Sequence, residues 1–565
     1  MIGRTTHYHT DVIRIARGVF QGDTLSPTIF VTLFNQILLY LRTEKHHGVC
    51  IKDEQISALA FADDLTIVCN NARSAQRILN AVSSKLESNG LVIKPSKCFS
   101  LSIKSGCFDQ SRKFALNGVD FENISQASMK FLGLNIYCKN QRANSAKYLQ
   151  SKLSTLLNQV DRLPIRGQYK LEIYDGYVTS CLRFDLSVCE VAQSNLEALD
   201  RMVRKFLKKW CKMPQSSHTG HLYHSSGLNV DLPSHLYTAG HANVLFQPAP
   251  NDPVLQEAVA TALDMSSTHP ATQQAHSQVT DLVRNSRDKK ALKKGARGLK
   301  DSDMEDASTK LVKQGRWAEI LANLDSDLTW KASLAGLSEA TYSFALKSLV
   351  DCLPTNCNLH VWKQMSEICG SCGTNRQTLL HVLNNCPVKL KLYSWRHDNI
   401  LFKLKNILCS HLPSLEIHCD LFIENNVICD INICTIPIDI YLTNLRPDLV
   451  VIDRENKSVI ILELTVPFET NFANAQERKC LKYSSVISGL EEAGFKCSFY
   501  SLEIGSRGIA AHGTCSTLRK ICRSTKKETR DFVYSIVKVA LKCSYVIFKE
   551  KDDVNASHNT LIDIM

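Results

Sequence analysis

Apolar side chains recur at three- and four-residue spacing in Phe30, Leu33, Phe34, Ile37, Leu38 and Leu41, which predicts a helix with one buried face. Ser26 followed by Pro27 marks its N-terminus. Ile56 to Cys69, ISALAFADDLTIVC, predicts two short strands joined by a turn that holds Asp63 and Asp64. Across 17–137 helical and strand patterns alternate with glycine punctuation, as in an α+β domain. From 145 to 213 the pattern turns helical: Leu149, Leu153, Leu156 and Leu157, then Leu196, Leu199, Met202, Val203, Phe206 and Leu207. Residues 248–310 become polar, opening near PAPNDP, and read as a linker with some helix. Residues 311–400 are helical again. Farther on, Leu445 to Glu469 holds two β-branched runs around Arg454-Glu455-Asn456-Lys457, a predicted hairpin, and a helix bearing Lys479, Lys482 and Tyr483 follows. No internal repeat is evident.

Length and composition bound this picture. At 565 residues the chain has room for three to four domains, and 44% apolar with 22% charged residues is ordinary for folded protein. Lysine plus arginine exceed aspartate plus glutamate by 67 to 55, a net charge of +12. The excess is densest in RNSRDKKALKKGARGLK, Arg284 to Lys300, a run that favours polyanions through counterion release or else forms a solvated linker. The first residues lack the continuous apolar core of a secretory leader, so the 22 cysteines are expected to be reduced, with a few available as metal ligands. The run Ile29 to Leu41 is broken by Asn35 and Gln36 and is too short to span a bilayer; no membrane association is expected.

Three constellations carry chemistry. Adjacent carboxylates at a tight turn, Asp63 and Asp64, repel unless a divalent cation neutralises them, and oxygen ligands suit magnesium. An isolated pair of turn aspartates is otherwise commonplace. Residues 369–386, CGSCGTNRQTLLHVLNNC, place Cys369, Cys372, His381 and Cys386 in the pattern C-x2-C-x8-H-x4-C, which suffices for tetrahedral, structural zinc. In the hairpin, a loop of residues 454–457 sets 453 opposite 458 and hence Asp448 opposite Glu463. Facing carboxylates again call for a bound cation, and Lys479, Lys482 and Tyr483 lie within one turn of each other on the next helix. Taken singly, Asp448, Glu463 and Lys482 read as ordinary solvent-facing charges, and the cysteines and histidine as reduced core thiols and a satisfied imidazole.

Together they resemble a known family. RGVFQGDTLSP (17–27), AFADDLTIV (60–68), LESNGLVIKPSKC (86–98) and KFLGLNIY (130–137) resemble successive reverse-transcriptase motifs in order and spacing. The cysteine cluster, flanked by LPTNCNLHVWKQM (353–365) and YSWRHDNIL (393–401), resembles the zinc knuckle of non-LTR retrotransposon Pol proteins with a restriction-like endonuclease. The hairpin and helix resemble the PD-(D/E)xK nuclease of that family. There the lysine has moved to the helix, so that Thr465 stands in the usual lysine position, Lys482-Tyr483 forms the KY pair, and Arg446 and GSRG (505–508) also fit the pattern.

The resemblance implies an α+β multidomain chain. It comprises a partial palm (1–140), helical thumb (141–247), basic linker (248–310), helical region with the knuckle (311–400), nuclease (401–550) and tail (551–565). Gln21 and Gly22 would lie beside template and nucleotide, Lys97 near the triphosphate, and Asp63 and Asp64 in the polymerase metal site. Asp448, Glu463, Lys479, Lys482 and Tyr483 would serve the nuclease. Magnesium would serve both catalytic sites and zinc the knuckle; element RNA and target DNA would be the partners, in the nucleus, in target-primed reverse transcription. The family's palm carries a further aspartate on a strand well before the QG motif. Only 20 residues precede Gln21, and Asp11 lacks the surrounding apolar strand, so the expectation is negligible polymerase activity in a chain without fingers or N-terminal DNA-binding segment. The alternative is a non-catalytic remnant that binds nucleic acid through its basic surfaces.

Overall fold

The first apolar stripe forms helix α1 (Ser26–Thr43), with Pro27 in its first turn. A computed structural model describes residues 18–20, 22–44, 47–51, 54–109, 111–124, 128–137, 140–246, 273–429 and 436–562. They fall into two units, one from Met1–Lys152, Arg183–Glu197 and Tyr237–Leu292, the other from Leu153–Leu182, Ala198–Leu236 and Lys293–Met565.

In the first unit α1 is followed by the antiparallel hairpin β1 (Ala58–Phe61) and β2 (Asp64–Ile67), then by α2 (Ala72–Ser88). Asn71 caps α2, its side-chain oxygen accepting the Ser74 amide at 2.8 Å. Phe34, Ile37 and Leu41 pack against Ile78, Val82 and Leu86, with Leu65 and Ile67 alongside. Each fully buried side chain contributes roughly 1.5–3 kcal/mol, so this cluster holds the hairpin against the helices. The later strands of this unit, from Phe99 to Tyr137, pair only in twos.

The leucine pattern of 145–213 does form helices, Gln141–Arg162, Thr179–Val188 and Gln193–Trp210. Leu149, Leu153, Leu157, Leu196, Leu199, Val203 and Leu207 are buried, while Met202 and Phe206 are half-buried. The described part of the predicted linker is two helices, Gln273–Arg284 and Lys289–Thr309; residues 248–272 lie outside the described residues. Lys300 departs from the reading of a solvated basic run. It is buried and donates to Asp231 at 2.7 Å and Asn229 at 2.9 Å, because its helix packs on the 229–231 segment.

The second unit carries a four-stranded sheet in the order β3 (Glu416–Cys419), β4 (Leu449–Asp453), β5 (Ser458–Thr465) and β6 (Lys496–Glu503). β4 runs antiparallel to both β3 and β5, whereas β6 lies parallel to β5. A parallel pair needs a crossover, and helix α4 (Phe472–Glu492) supplies it. Val450, Ile452, Val459 and Ile461 point to α4 and bury Tyr483, Val486 and Leu490. Helix α3 (Leu390–His411) packs on the last helix, α5 (Lys526–Lys549), whose N-terminus is a capping box of Thr525 and Glu528. Position 400, where the sequence pattern divides knuckle region from nuclease, falls inside α3. Every described cysteine is a free thiol, and no described helix is long and apolar enough to cross a membrane.

Candidate active site and metal centre

The side-chain period of two along a strand decides the hairpin's geometry. Asp453 pairs with Ser458 and Leu449 with Leu462, so the next step back places Asp448 opposite Glu463. Both stand on the face of Val450, Ile452, Val459 and Ile461, the face covered by α4. The two residues clasp each other: the Asp448 amide donates to Glu463 Oε1 at 3.0 Å, and the Leu464 amide donates to Asp448 Oδ2 at 2.8 Å. Glu463 is fully buried.

Helical spacing puts Lys479, Tyr483, Val486 and Leu490 on one stripe of α4. Lys479 Nζ therefore donates to Glu463 Oε2 and lies 3.8 Å from Asp448 Oδ2. The Lys479 ammonium thus faces both carboxylates. Lys482 is exposed, and its Nζ donates to the Tyr483 hydroxyl at 3.0 Å, while that hydroxyl donates to the Arg446 carbonyl at 2.7 Å. Tyr483 itself is a fully buried core ring. Arg446 pairs with Asp420. The two lysines are thus separated by position: Lys479 touches both carboxylates and Lys482 touches the tyrosine.

Three groups outside the predicted ligand set join the site, His397, Asp398 and Glu503. His397, on α3, sets Nε2 3.4 Å from Asp448 Oδ2 and Nδ1 3.0 Å from Asp398. Burial alone would lower the imidazole, but Asp448 and Asp398 outweigh it and push it up to about 10. Glu503 stands two residues beyond Ser501, the parallel partner of Glu463, and its carboxyl is pushed up by burial. The two clasped carboxyls are driven apart. Burial would raise Asp448, but His397 and Lys479 hold it below the usual range, whereas burial and the Asp448 charge raise Glu463 against the pull of Lys479. Thr465 is buried, with a hydroxyl that finds no partner among the described residues. Of GSRG, Arg507 is buried in an ion pair with Glu469, Nε to Oε2 at 2.6 Å, and stacks over Phe468. Its place is structural.

The cysteine cluster closes as its spacing predicts. Ligand atoms of Cys369, Cys372, His381 and Cys386 all lie within 4.8 Å of one another. Cys372 Sγ and His381 Nε2 are 3.5 Å apart; a tetrahedral zinc with bonds of about 2.3 Å to sulfur and about 2.0 Å to nitrogen requires about 3.5 Å there. Burial would raise the Cys372 thiol, but N–H donors from Asn375 and Thr374 outweigh it and bring it down to about 5, favouring the thiolate that zinc needs. Burial pushes Cys386 up to about 11. Tyr393 of α3 secures the ligand-bearing turn, its hydroxyl meeting the Cys386 amide at 3.0 Å and the carbonyls of His381 and Val382 at 3.1 and 3.0 Å.

In the first unit, register pairs Phe61 with Asp64, leaving Ala62 and Asp63 as the turn, with Ala62 at φ +53°. Asp63 and Asp64 are both exposed at the tip. Gly22, at φ +91°, adopts a conformation open to glycine, and Lys97 is exposed at the end of the turn Pro95–Lys97. Among the described residues no hydrogen bond or ion pair joins Lys97 to either aspartate. Gln21 lies outside the described residues.

Residues 4–136 match the family model described as reverse transcriptase (RNA-dependent DNA polymerase). The chain is 26% identical over 220 residues to the Pol polyprotein of type-1 retrotransposable element R2 of Nasonia vitripennis, covering 37% of this chain and 21% of that protein. It contains a reverse transcriptase domain and is homologous to R2 retrotransposon Pol polyproteins. The Pol polyprotein of type-2 element R2DM of Drosophila melanogaster is 27% identical over 206 residues, 35% of this chain and 19% of that protein. For a type-1 R2 Pol polyprotein of Popillia japonica the values are 27% over 209 residues, 35% and 28%. The matches thus span between 19 and 28% of these R2 proteins' length.

Proposed function

We propose that the chain carries a metal-dependent DNA endonuclease together with a partial RNA-directed DNA polymerase of negligible activity, from a protein that works in target-primed reverse transcription on element RNA and target DNA. The polymerase half rests on the reverse-transcriptase match and would use Gln21, Gly22, Lys97, Asp63 and Asp64. The nuclease half rests on one observation, the facing of Asp448 and Glu463 under Lys479. Asp448 and Glu463 would hold magnesium, which when bound activates water and stabilises the charge developing on the scissile phosphate. Lys479 would follow the phosphate as it enters, exchanging a carboxylate partner for a phosphoryl oxygen. The Tyr483 hydroxyl links Lys482 to the Arg446 carbonyl.

Cys369, Cys372, His381 and Cys386 would hold a structural zinc, since the set is closed and leaves no open position. Nuclear action follows from the DNA target in the same reading. Nicking of supercoiled plasmid by the wild-type chain and by Asp448→Ala tests the nuclease half. Loss of nicking with retained nucleic-acid binding supports it, and equal nicking by both proteins leaves only a binding scaffold.

A further inference from the structure

His397 reaches the carboxylate centre from α3, outside the hairpin and the helix α4 that supply Asp448, Glu463 and Lys479. Both ring nitrogens face carboxylates: Nδ1 lies 3.0 Å from Asp398 Oδ1, and Nε2 lies 3.4 Å from Asp448 Oδ2. Neither nitrogen is left over to take a proton from water or to ligate an ion, so the ring can only orient what it touches. The stretch of α3 that carries it is anchored at four points. Tyr393 meets the His381 and Val382 carbonyls, and Trp395 Nε1 donates to the Thr560 carbonyl at 2.8 Å. Arg396 Nη1 donates to Ser544 at 3.1 Å, and Asn399 Oδ1 accepts the Ile562 amide at 2.7 Å. A group on so constrained a stretch holds its partner in one geometry.

The partner is one particular oxygen. Asp448 Oδ2 accepts the Leu464 amide at 2.8 Å and lies 3.4 Å from His397 and 3.8 Å from Lys479 Nζ. Oδ1 takes no hydrogen bond among the described residues, yet it is not one of the sealed atoms left without a partner, and the side chain keeps 14% of its exposure. The carboxylate is thereby divided between an oxygen held by protein and an oxygen open to solution. Rotation about the terminal bond of an aspartate is soft, so one backbone donor does not decide which oxygen faces out. Lys479 is committed to Glu463. His397 is the second contact on Oδ2, and it comes from a different element. Hydrogen-bonded carboxylates of this kind owe their ligand geometry to such outer partners.

We propose that His397, backed by Asp398, is the positioning residue of the carboxylate centre: it holds Asp448 by Oδ2 so that Oδ1 is presented to a divalent ion. The proposal rests on the nuclease reading of Asp448 and Glu463. It makes that centre depend on the helix that also secures the cysteine cluster.

The test reads metal binding without DNA. Manganese, which shares the preference of magnesium for carboxylate oxygen, is titrated into the zinc-loaded full chain and followed by electron paramagnetic resonance. The site that disappears in Asp448→Asn defines the centre. His397→Leu should weaken it at least about tenfold, and His397→Gln, whose amide returns a donor to Oδ2, should stay within about threefold of wild type. Hydrogen exchange at the Leu464 amide should accelerate in His397→Leu alone, while the Cys386 amide, bonded to Tyr393, should exchange alike in all three proteins. Affinity unchanged or tightened in His397→Leu marks an imidazole that only fills space or only adds charge, and overturns the proposal. So does an equal loss in both variants, or acceleration of both amides alike, since loosening of α3 then accounts for the loss. A wild-type chain with no manganese site that depends on Asp448 refutes the nuclease reading and the proposal with it; a site that depends on Asp448 but not on His397 refutes the proposal alone.

Discussion

Removing the Lys479 ammonium while keeping its bulk, as in Lys479→Met, leaves Glu463 without its cation and facing Asp448, which keeps His397. Glu463 is fully buried, and the side chains of Lys479 and Asp448 are 18% and 14% exposed. Breaking a buried pair typically costs about 3–5 kcal/mol; the residual exposure of two partners puts this case at about 3. A chain of two units does not unfold in one step, so the suitable assay is native-state hydrogen exchange at the β5 amides, which reads local opening. The Leu464 amide donates to Asp448 and reports directly. A loss of about 3 kcal/mol accelerates its exchange by on the order of 150-fold. Adding Glu463→Gln removes the stranded charge and should recover most of the loss, whereas saturating magnesium should protect Lys479→Met more than wild type. Acceleration below about threefold, or no recovery in the double variant, would refute the view that Lys479 neutralises the buried carboxylates.

The remaining predictions concern the surroundings. One zinc per chain, with three sulfur ligands at about 2.3 Å and one nitrogen, should appear in X-ray absorption and vanish in Cys386→Ser; a zinc-free protein of unchanged fold would contradict the knuckle. His221 is fully buried, its ring nitrogens unpartnered among the described residues, and burial followed by the His218 charge brings it down to about 3. Below the unfolded value of 6.5 the unfolded chain takes up a proton that the folded one refuses, so stability is present above that pH and lost as pH falls. By pH 5 the loss is about 2 kcal/mol, read from exchange of the Leu228 and Val230 amides, and His221→Phe should flatten it. Replacing Lys289, Lys290, Lys293 and Lys294 by glutamine should weaken nucleic-acid binding and reduce the steepness of its salt dependence by roughly 0.7–0.9 for each phosphate no longer neutralised; an unchanged slope removes this helix from the interface.

Much of the candidate site is legible in the sequence because it depends on local rules. The loop of Arg454 to Lys457 determines the β4–β5 register, and register determines that Asp448 meets Glu463. The cysteine–histidine cluster is likewise written in its spacing, which brings four candidate ligand atoms within 4.8 Å of one another. What escapes depends on tertiary packing. His397 comes from a helix about fifty residues before Asp448, and YSWRHDNIL reads only as a flank of the knuckle. Glu503 reaches the site through the parallel register of β6, which no sequence spacing encodes. The stripe that Lys479 shares with Tyr483, Val486 and Leu490 is the signal that ranks Lys479 above Lys482. Tyr483 resembles a reacting group in its motif, yet it is wholly buried in the core, with its hydroxyl donating to the Arg446 carbonyl. Lys300 illustrates the limit of counting charge, since a lysine within a basic run is buried on Asp231.

If Asp448 and Glu463 form a divalent-metal centre that cuts DNA, magnesium titration of plasmid nicking shows it most directly. The wild-type chain should convert supercoiled to open-circular plasmid only with magnesium, and Asp448→Asn and Glu463→Gln should each reduce the rate at least about 100-fold while binding DNA as before. Nicking that persists in either variant, or that proceeds without a divalent ion, would contradict the account.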